Sequence, residues 1–200
     1  MTPSYMYLAV FCYSYAAKST LLTPLEAFLP VVNDDYGFSS VTTGIAMGSY
    51  SAANLLISPC TAYLVNGIGR RNGAFIGLLI AGLTTAAKGA ASYLTDKYAF
   101  LATFSIMNFL TGASVGLFYT SVLSGVSFMY RDVLDRSIGI LKAHVGIGSM
   151  LGMLIVTPVY SLGGFPLSCF FMALLAIIGS VLIRLCIPQA MVAPEGELGY

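Results

Sequence analysis

The stretch Ala62-Tyr-Leu-Val-Asn-Gly-Ile-Gly-Arg-Arg71 decides how this chain is read, because it is a short basic link between two long apolar runs. Upstream, Val41 to Val65 holds no charged residue, and downstream, Ala74 to Leu94 holds only Lys88. Each run exceeds the roughly 20 residues that a helix needs to cross a ~30 Å hydrocarbon layer. The link between them has about six to eight residues, enough for an antiparallel turn. Gly67 and Gly69 allow the tight backbone, and Arg70 and Arg71 hold the turn in the cytoplasm, since basic residues resist translocation.

Composition agrees with lipid as the main solvent. Charged residues make up 8% of the 200-residue chain, against about 25% in a soluble domain. A net charge of +1 argues against nucleic acid as a partner. Cys12, Cys60, Cys169 and Cys186 fall in apolar runs at unrelated spacings. They read as small buried hydrophobes with free thiols, neither a disulfide framework nor a metal site. The first apolar run lacks a basic leader and a small-residue cleavage site, so it reads as a retained helix.

Six spans emerge, Tyr5–Pro30, Val41–Val65, Ala74–Leu94, Tyr98–Tyr130, Ile138–Leu162 and Pro166–Ile187. They form one all-α, polytopic membrane domain over residues 1–190, with a short polar tail over 191–200. Loops on one side carry Arg70, Arg71, Arg131 and Arg136, with Arg184 at the last helix end. Loops on the other carry Lys97 beside Asp34, Asp35 and Asp96. That bias predicts both termini in the cytoplasm.

Glycines four apart recur at Gly44/Gly48, Gly73/Gly77, Gly112/Gly116 and Gly148/Gly152, a spacing that lets helix backbones approach closely. Pro24 and Pro30 are expected to bend or end the first helix. Ser161-Leu-Gly-Gly-Phe-Pro166 reads as a glycine-driven turn with proline opening the next helix.

Charges inside spans need a cavity or a partner, because a charge at the bilayer centre costs at least ~2.5–3.5 kcal/mol. Lys18 is mid-span among small and polar neighbours and is the best candidate for an aqueous cavity. Lys142 and His144 are two apart and so lie on different faces. His144 reads equally as a packing histidine or a proton carrier. Lys142 and Lys88 both lie near helix ends, where a lysine can snorkel. Asn54 and Asn108 complete the cavity candidates. No nucleophile elbow, phosphate loop or metal spacing accompanies the one histidine, so neither an enzyme nor a cofactor is expected.

With these residues in hand, the chain resembles the N-terminal six-helix half of a major facilitator superfamily transporter. It looks closest to the vesicular amine and polyamine transporter-like branch. The link at 62–71 is similar to that superfamily's signature between helices two and three, with Gly69, Arg70 and Arg71 matching. Ser58-Pro59, Pro30 with Gly37-Phe-Ser39, and Gly146-Ile-Gly-Ser-Met-Leu-Gly152 through Tyr160-Ser-Leu-Gly-Gly-Phe165 follow the branch as well. The departures are specific. Asn66 stands where the signature has aspartate, and Asn108 where helix four has an arginine implicated in proton coupling. Met153 replaces a proline after Gly152, and Lys18 stands where the branch often has an acid.

The resemblance implies half of a major facilitator fold, with Asn66, Gly69, Arg70 and Arg71 as a gating hairpin that Asp132 or Asp135 can pair with. It implies transport of a small organic solute, an amine or other cation, by alternating access. The substrate would lie between two halves near the midplane. The partners are then the lipid bilayer, a small-molecule substrate, and a second half supplied by another chain, a homodimer partner or a larger membrane complex. The alternative is a transport-inactive structural or assembly subunit that keeps the bundle but has lost the coupling residues.

Overall fold

The computed structural model describes residues 5–188, so the polar tail at 191–200 lies outside the described residues. Among these residues every regular element is helical: α1 (Tyr5–Asp35), α2 (Ser40–Ile68), α3 (Arg70–Ala91), α4 (Lys97–Met129), a 3-10 turn at Arg131–Val133, and α5 (Leu134–Cys186). Helix α5 is broken at Gly163 (φ −144°, ψ 17°) and Gly164 (φ 65°, ψ −161°), giving two arms that meet at a kink. Three segments are long and apolar enough to cross a membrane by length and composition: Arg70–Ala91, Lys97–Met129 and Arg131–Cys186.

Local chemistry sets the helix starts. The Ser39 hydroxyl accepts from the Thr42 N–H at 3.2 Å to cap α2, and an Asp96 carboxylate oxygen accepts from the Tyr98 N–H at 3.0 Å to cap α4. Each satisfies one of the orphan donors that a helix leaves at its first turn.

The helix ends differ from the spans read in the sequence. Pro24 and Pro30 do not end the first helix, which runs through both to Asp35. Proline inside a helix frees a carbonyl, and in a bundle neighbouring groups and polar side chains accommodate the loss. The link between α2 and α3 is also one residue long, Gly69, because Asn66, Gly67 and Ile68 continue α2. At 1.5 Å per residue, the 29 residues of α2 extend roughly 44 Å, well beyond the hydrocarbon layer. Gly69 turns the chain with φ 87°, a value that an L side chain adopts only under strain.

The bundle is assembled by close backbone approach. Helix α1 lies along the first arm of α5, α2 along α4, and α3 between α4 and the second arm of α5. Gly148 faces the Ala16 backbone, Gly112 faces the Tyr50 backbone, and Gly77 meets the α4 backbone at Ser114 and Phe118. Gly44 and Gly48 depart from this pattern, since an added Cβ at either meets nothing within 4 Å. Side chains add hydrogen bonds between helices: Thr20 Oγ1 donates to the Gly148 carbonyl at 3.1 Å, and Thr84 and Thr111 share one at 2.9 Å. Each contributes on the order of 0.6 kcal/mol in such bundles. Phe100, Phe104, Phe118, Leu78 and Leu141 fill the interior, while Leu55, Leu56, Leu83 and Leu154 point outward. The cysteines split likewise, with Cys12 and Cys169 buried and Cys60 exposed, so only part of the set is buried as expected.

Candidate functional site

Lys18 is carried on α1 with small neighbours, Ala17 and Ser19, that let α1 approach the facing helices. Its side chain is 6% exposed, and its Nζ donates to the Tyr119 hydroxyl of α4 at 2.7 Å. The ammonium lies 4.5 Å from the centroid of the Tyr119 ring, at its hydroxyl end, so the phenol oxygen is the acceptor that Tyr119 supplies. Tyr15, one turn before Lys18, meets Tyr119 edge-on, with centroids 5.2 Å apart and planes at 78°. The Tyr15 hydroxyl is buried and has no hydrogen-bond partner.

Tyr15 and Tyr119 line a cavity of about 260 Å³ with Leu123, Val145 and Lys142. Lys142 is exposed at its edge. The structure therefore gathers two of the candidates, Lys18 and Lys142, around the tyrosine pair. Lys18 reaches the cavity through Tyr119.

The other candidates lie elsewhere. His144 lines a separate cavity with Tyr5, Leu8, Cys12 and Tyr13, and its Nδ1–H donates to the Ile140 carbonyl at 2.8 Å, which leaves Nε2 as the open nitrogen. Asn54 is half-buried, with its side-chain oxygen against Gly116. Asn108 is buried and accepts from Lys88 Nζ at 3.0 Å. Its own Nδ2 donates to the Ala46 carbonyl at 3.0 Å.

Lys88 is the residue that sequence reasoning missed. Placed near a helix end, it was expected to snorkel; instead it is 1% exposed and turned onto α4. Its partners are neutral, the Asn108 oxygen and, at 5.8 Å, the Phe104 ring. The signal was its place on a stripe of buried residues, Gly77, Ala81, Thr84, Lys88 and Ala91, at helical spacing along α3.

The basic corner ties helix ends together. Arg70 Nε donates to Ser124 Oγ at 2.8 Å and lies over the Phe128 ring, both near the end of α4. An Arg71 guanidinium N–H donates to the Ile187 carbonyl just past α5 at 3.1 Å, where unpaired carbonyls favour a cation. Arg184 donates to the Asn72 side chain at 2.7 Å, and Asn66 is exposed at the corner. Asp132 and Asp135 are exposed and line a shallow hollow with Arg131 and Arg136. Among the described residues, no three His, Cys, Asp or Glu side chains stand close enough to hold a metal ion.

A sequence model of the family described as Major Facilitator Superfamily matches residues 6–199. No curated protein matches the chain.

Proposed function

Because the chain belongs to the major facilitator superfamily, and so is an integral membrane protein of the secondary-transporter type, we propose that it moves a small organic solute by alternating access against a second half. In this reading the kink at Gly163–Gly164 parts α5 into two spans, which with α1 to α4 would give the six-helix half that the resemblance implies. Both termini and the Gly69 corner lie in the cytoplasm, with the loops around Asp34 and Asp96 outside. A second copy, or another chain, supplies the facing half.

The observation that carries this reading is the Lys18–Tyr119–Tyr15 cluster. The phenol that accepts from Lys18 lines a cavity between α1, α4 and α5, together with Tyr15 and Lys142. Polar groups inside a lipid-facing bundle face a cavity because lipid cannot satisfy them. The corner acts beside it as a cytoplasmic gate, since Arg70 and Arg71 couple it to the ends of α4 and α5.

Single cysteines on α5 test the cavity, in a background where the four native cysteines are replaced by serine or alanine. Lys142 and Leu154 are both exposed in the isolated chain but lie about 120° apart around the helix. In the membrane, Lys142→Cys reacts with a small, charged, water-soluble thiol reagent, while Leu154→Cys faces lipid and is inert. Equal reactivity at the two positions overturns the cavity.

A further inference from the structure

We propose that the hollow at 131–136 holds the headgroup of a zwitterionic phospholipid whose amine carries N–H groups, as in phosphatidylethanolamine. The sequence Arg131-Asp-Val-Leu-Asp-Arg136 sets two arginines and two aspartates in mirror order around an apolar pair. The chain passes there from α4 through the 3-10 turn at Arg131–Val133 into α5, and this folds the six residues around one hollow of about 460 Å³. All four charged residues are exposed. Opposite charges so close in sequence commonly pair with one another, and an acid at a helix start commonly caps it. These do neither. Among the described residues, neither aspartate forms an ion pair or hydrogen bond with Arg131 or Arg136, and the 3-10 turn and α5 both begin without a side-chain cap. Arg131 instead stands over the Phe128 ring at 5.3 Å. The hollow therefore keeps two charges of each sign around one space, unpaired across it.

What fills such a space follows from its donors and acceptors. A guanidinium only donates, in a fork that matches two oxygens of a phosphate. A carboxylate only accepts, and a primary ammonium offers it three N–H groups. A headgroup that carries a phosphodiester and a primary ammonium on one short linker meets both pairs of side chains at once. A purely anionic headgroup suits the arginines but brings its charge against Asp132 and Asp135. A choline headgroup has no N–H to give the aspartates. Place selects a lipid over a dissolved zwitterion. Helix α4 is long and apolar enough to cross a membrane and ends at Met129, which sets the hollow just beyond it at the depth of headgroups. Exposed charges hold a ligand weakly, which favours an occupant already concentrated at that surface. Val133, itself exposed, and Leu134 give the lipid's glycerol and first methylenes an apolar rest.

The full chain in detergent is mixed with equal amounts of phosphatidylethanolamine, phosphatidylcholine and phosphatidylglycerol of identical acyl chains, and retained lipids are counted by native mass spectrometry. Phosphatidylethanolamine is expected to be retained about fivefold over either of the others. Asp132→Asn/Asp135→Asn removes its advantage over phosphatidylcholine. Arg131→Gln/Arg136→Gln lowers retention of all three about threefold, since each carries a phosphate. The four positions are exposed, so the unfolding temperature without lipid is expected to stay unchanged. Should a double variant not fold, Asp135→Asn alone is expected to reduce the advantage about twofold. Equal retention of the three lipids overturns the proposal. So does a preference for phosphatidylglycerol, which makes the hollow a site for anionic lipid. A phosphatidylethanolamine preference that survives the aspartate variants places the lipid elsewhere and overturns it too. Free phosphoethanolamine that displaces the lipid identifies a dissolved zwitterion as the occupant, with the same result.

Discussion

Lys88 and Asn108 form a pair in which each residue makes the other tolerable. The ammonium has one oxygen acceptor, and that oxygen belongs to an amide whose nitrogen is held by the Ala46 carbonyl. Asn108→Leu leaves the ammonium buried without an oxygen, at a cost of about 3 kcal/mol, since unsatisfied charged groups exceed the usual range for a lost bond. The double variant Lys88→Met/Asn108→Leu is expected to recover most of that loss, as replacing both partners by apolar groups is nearly neutral. Thermal unfolding of the four proteins in detergent closes the cycle, and a double variant no more stable than Asn108→Leu refutes the pairing. Depth along the helix is legible in the sequence, which is why Lys88 was assigned to a helix end. The angle around the axis, and the Asn108 acceptor twenty residues later on another helix, are products of packing. The same limit applies to Lys18: its unusual setting is visible in the sequence, but Tyr119 as its acceptor is not.

At the scale of elements, the bundle depends on a few positions where two backbones touch. A Cβ at Gly112 would run into the Tyr50 carbonyl, whereas one at Gly44 meets nothing within 4 Å. Gly112→Ala therefore separates α2 from α4 and is expected to cost at least about 1–3 kcal/mol, the range for forcing extra atoms into a packed interior. Gly44→Ala is expected to be neutral or mildly stabilising, because glycine inside a helix is worse than alanine by about 1 kcal/mol. Comparing the two by detergent unfolding separates packing glycines from incidental ones, and equal effects contradict the assignment. The four-residue spacing identified both pairs alike, since period alone says which residues share a face. It does not say which face meets a neighbour. Helix ends were least legible, because α1 and α2 continue past the hydrocarbon limit that their apolar runs suggested.

For the molecule as a whole, the membrane character was plain from composition, and the family match extends from residue 6 to 199. Sidedness rests on the distribution of arginine. With α1 ending at Asp35 and α3 beginning at Arg70, α2 alone separates the two loops. Cysteines at Asp34 and Asn72 are therefore expected to label from opposite faces of sealed vesicles, Asp34 from outside. Labelling from one face contradicts the topology. The outward leucines and isoleucines on α2, α3 and α5 are more extensive than a water-soluble monomer carries. They leave surface for lipid and for the facing half proposed above.

The single glycine between α2 and α3 also bears on how the chain is made. At roughly 5–20 residues per second, the 22 residues of α3 emerge from the ribosome within a few seconds of α2. A turn of one residue gives α2 no slack in which to settle across the bilayer and wait. Arg70 and Arg71 open the next helix immediately, and in the proposed topology they stay on the side of synthesis. In that topology the loops at 36–39 and 92–96 are the parts that cross, and Gly69 is the crease that stays behind between the two helices.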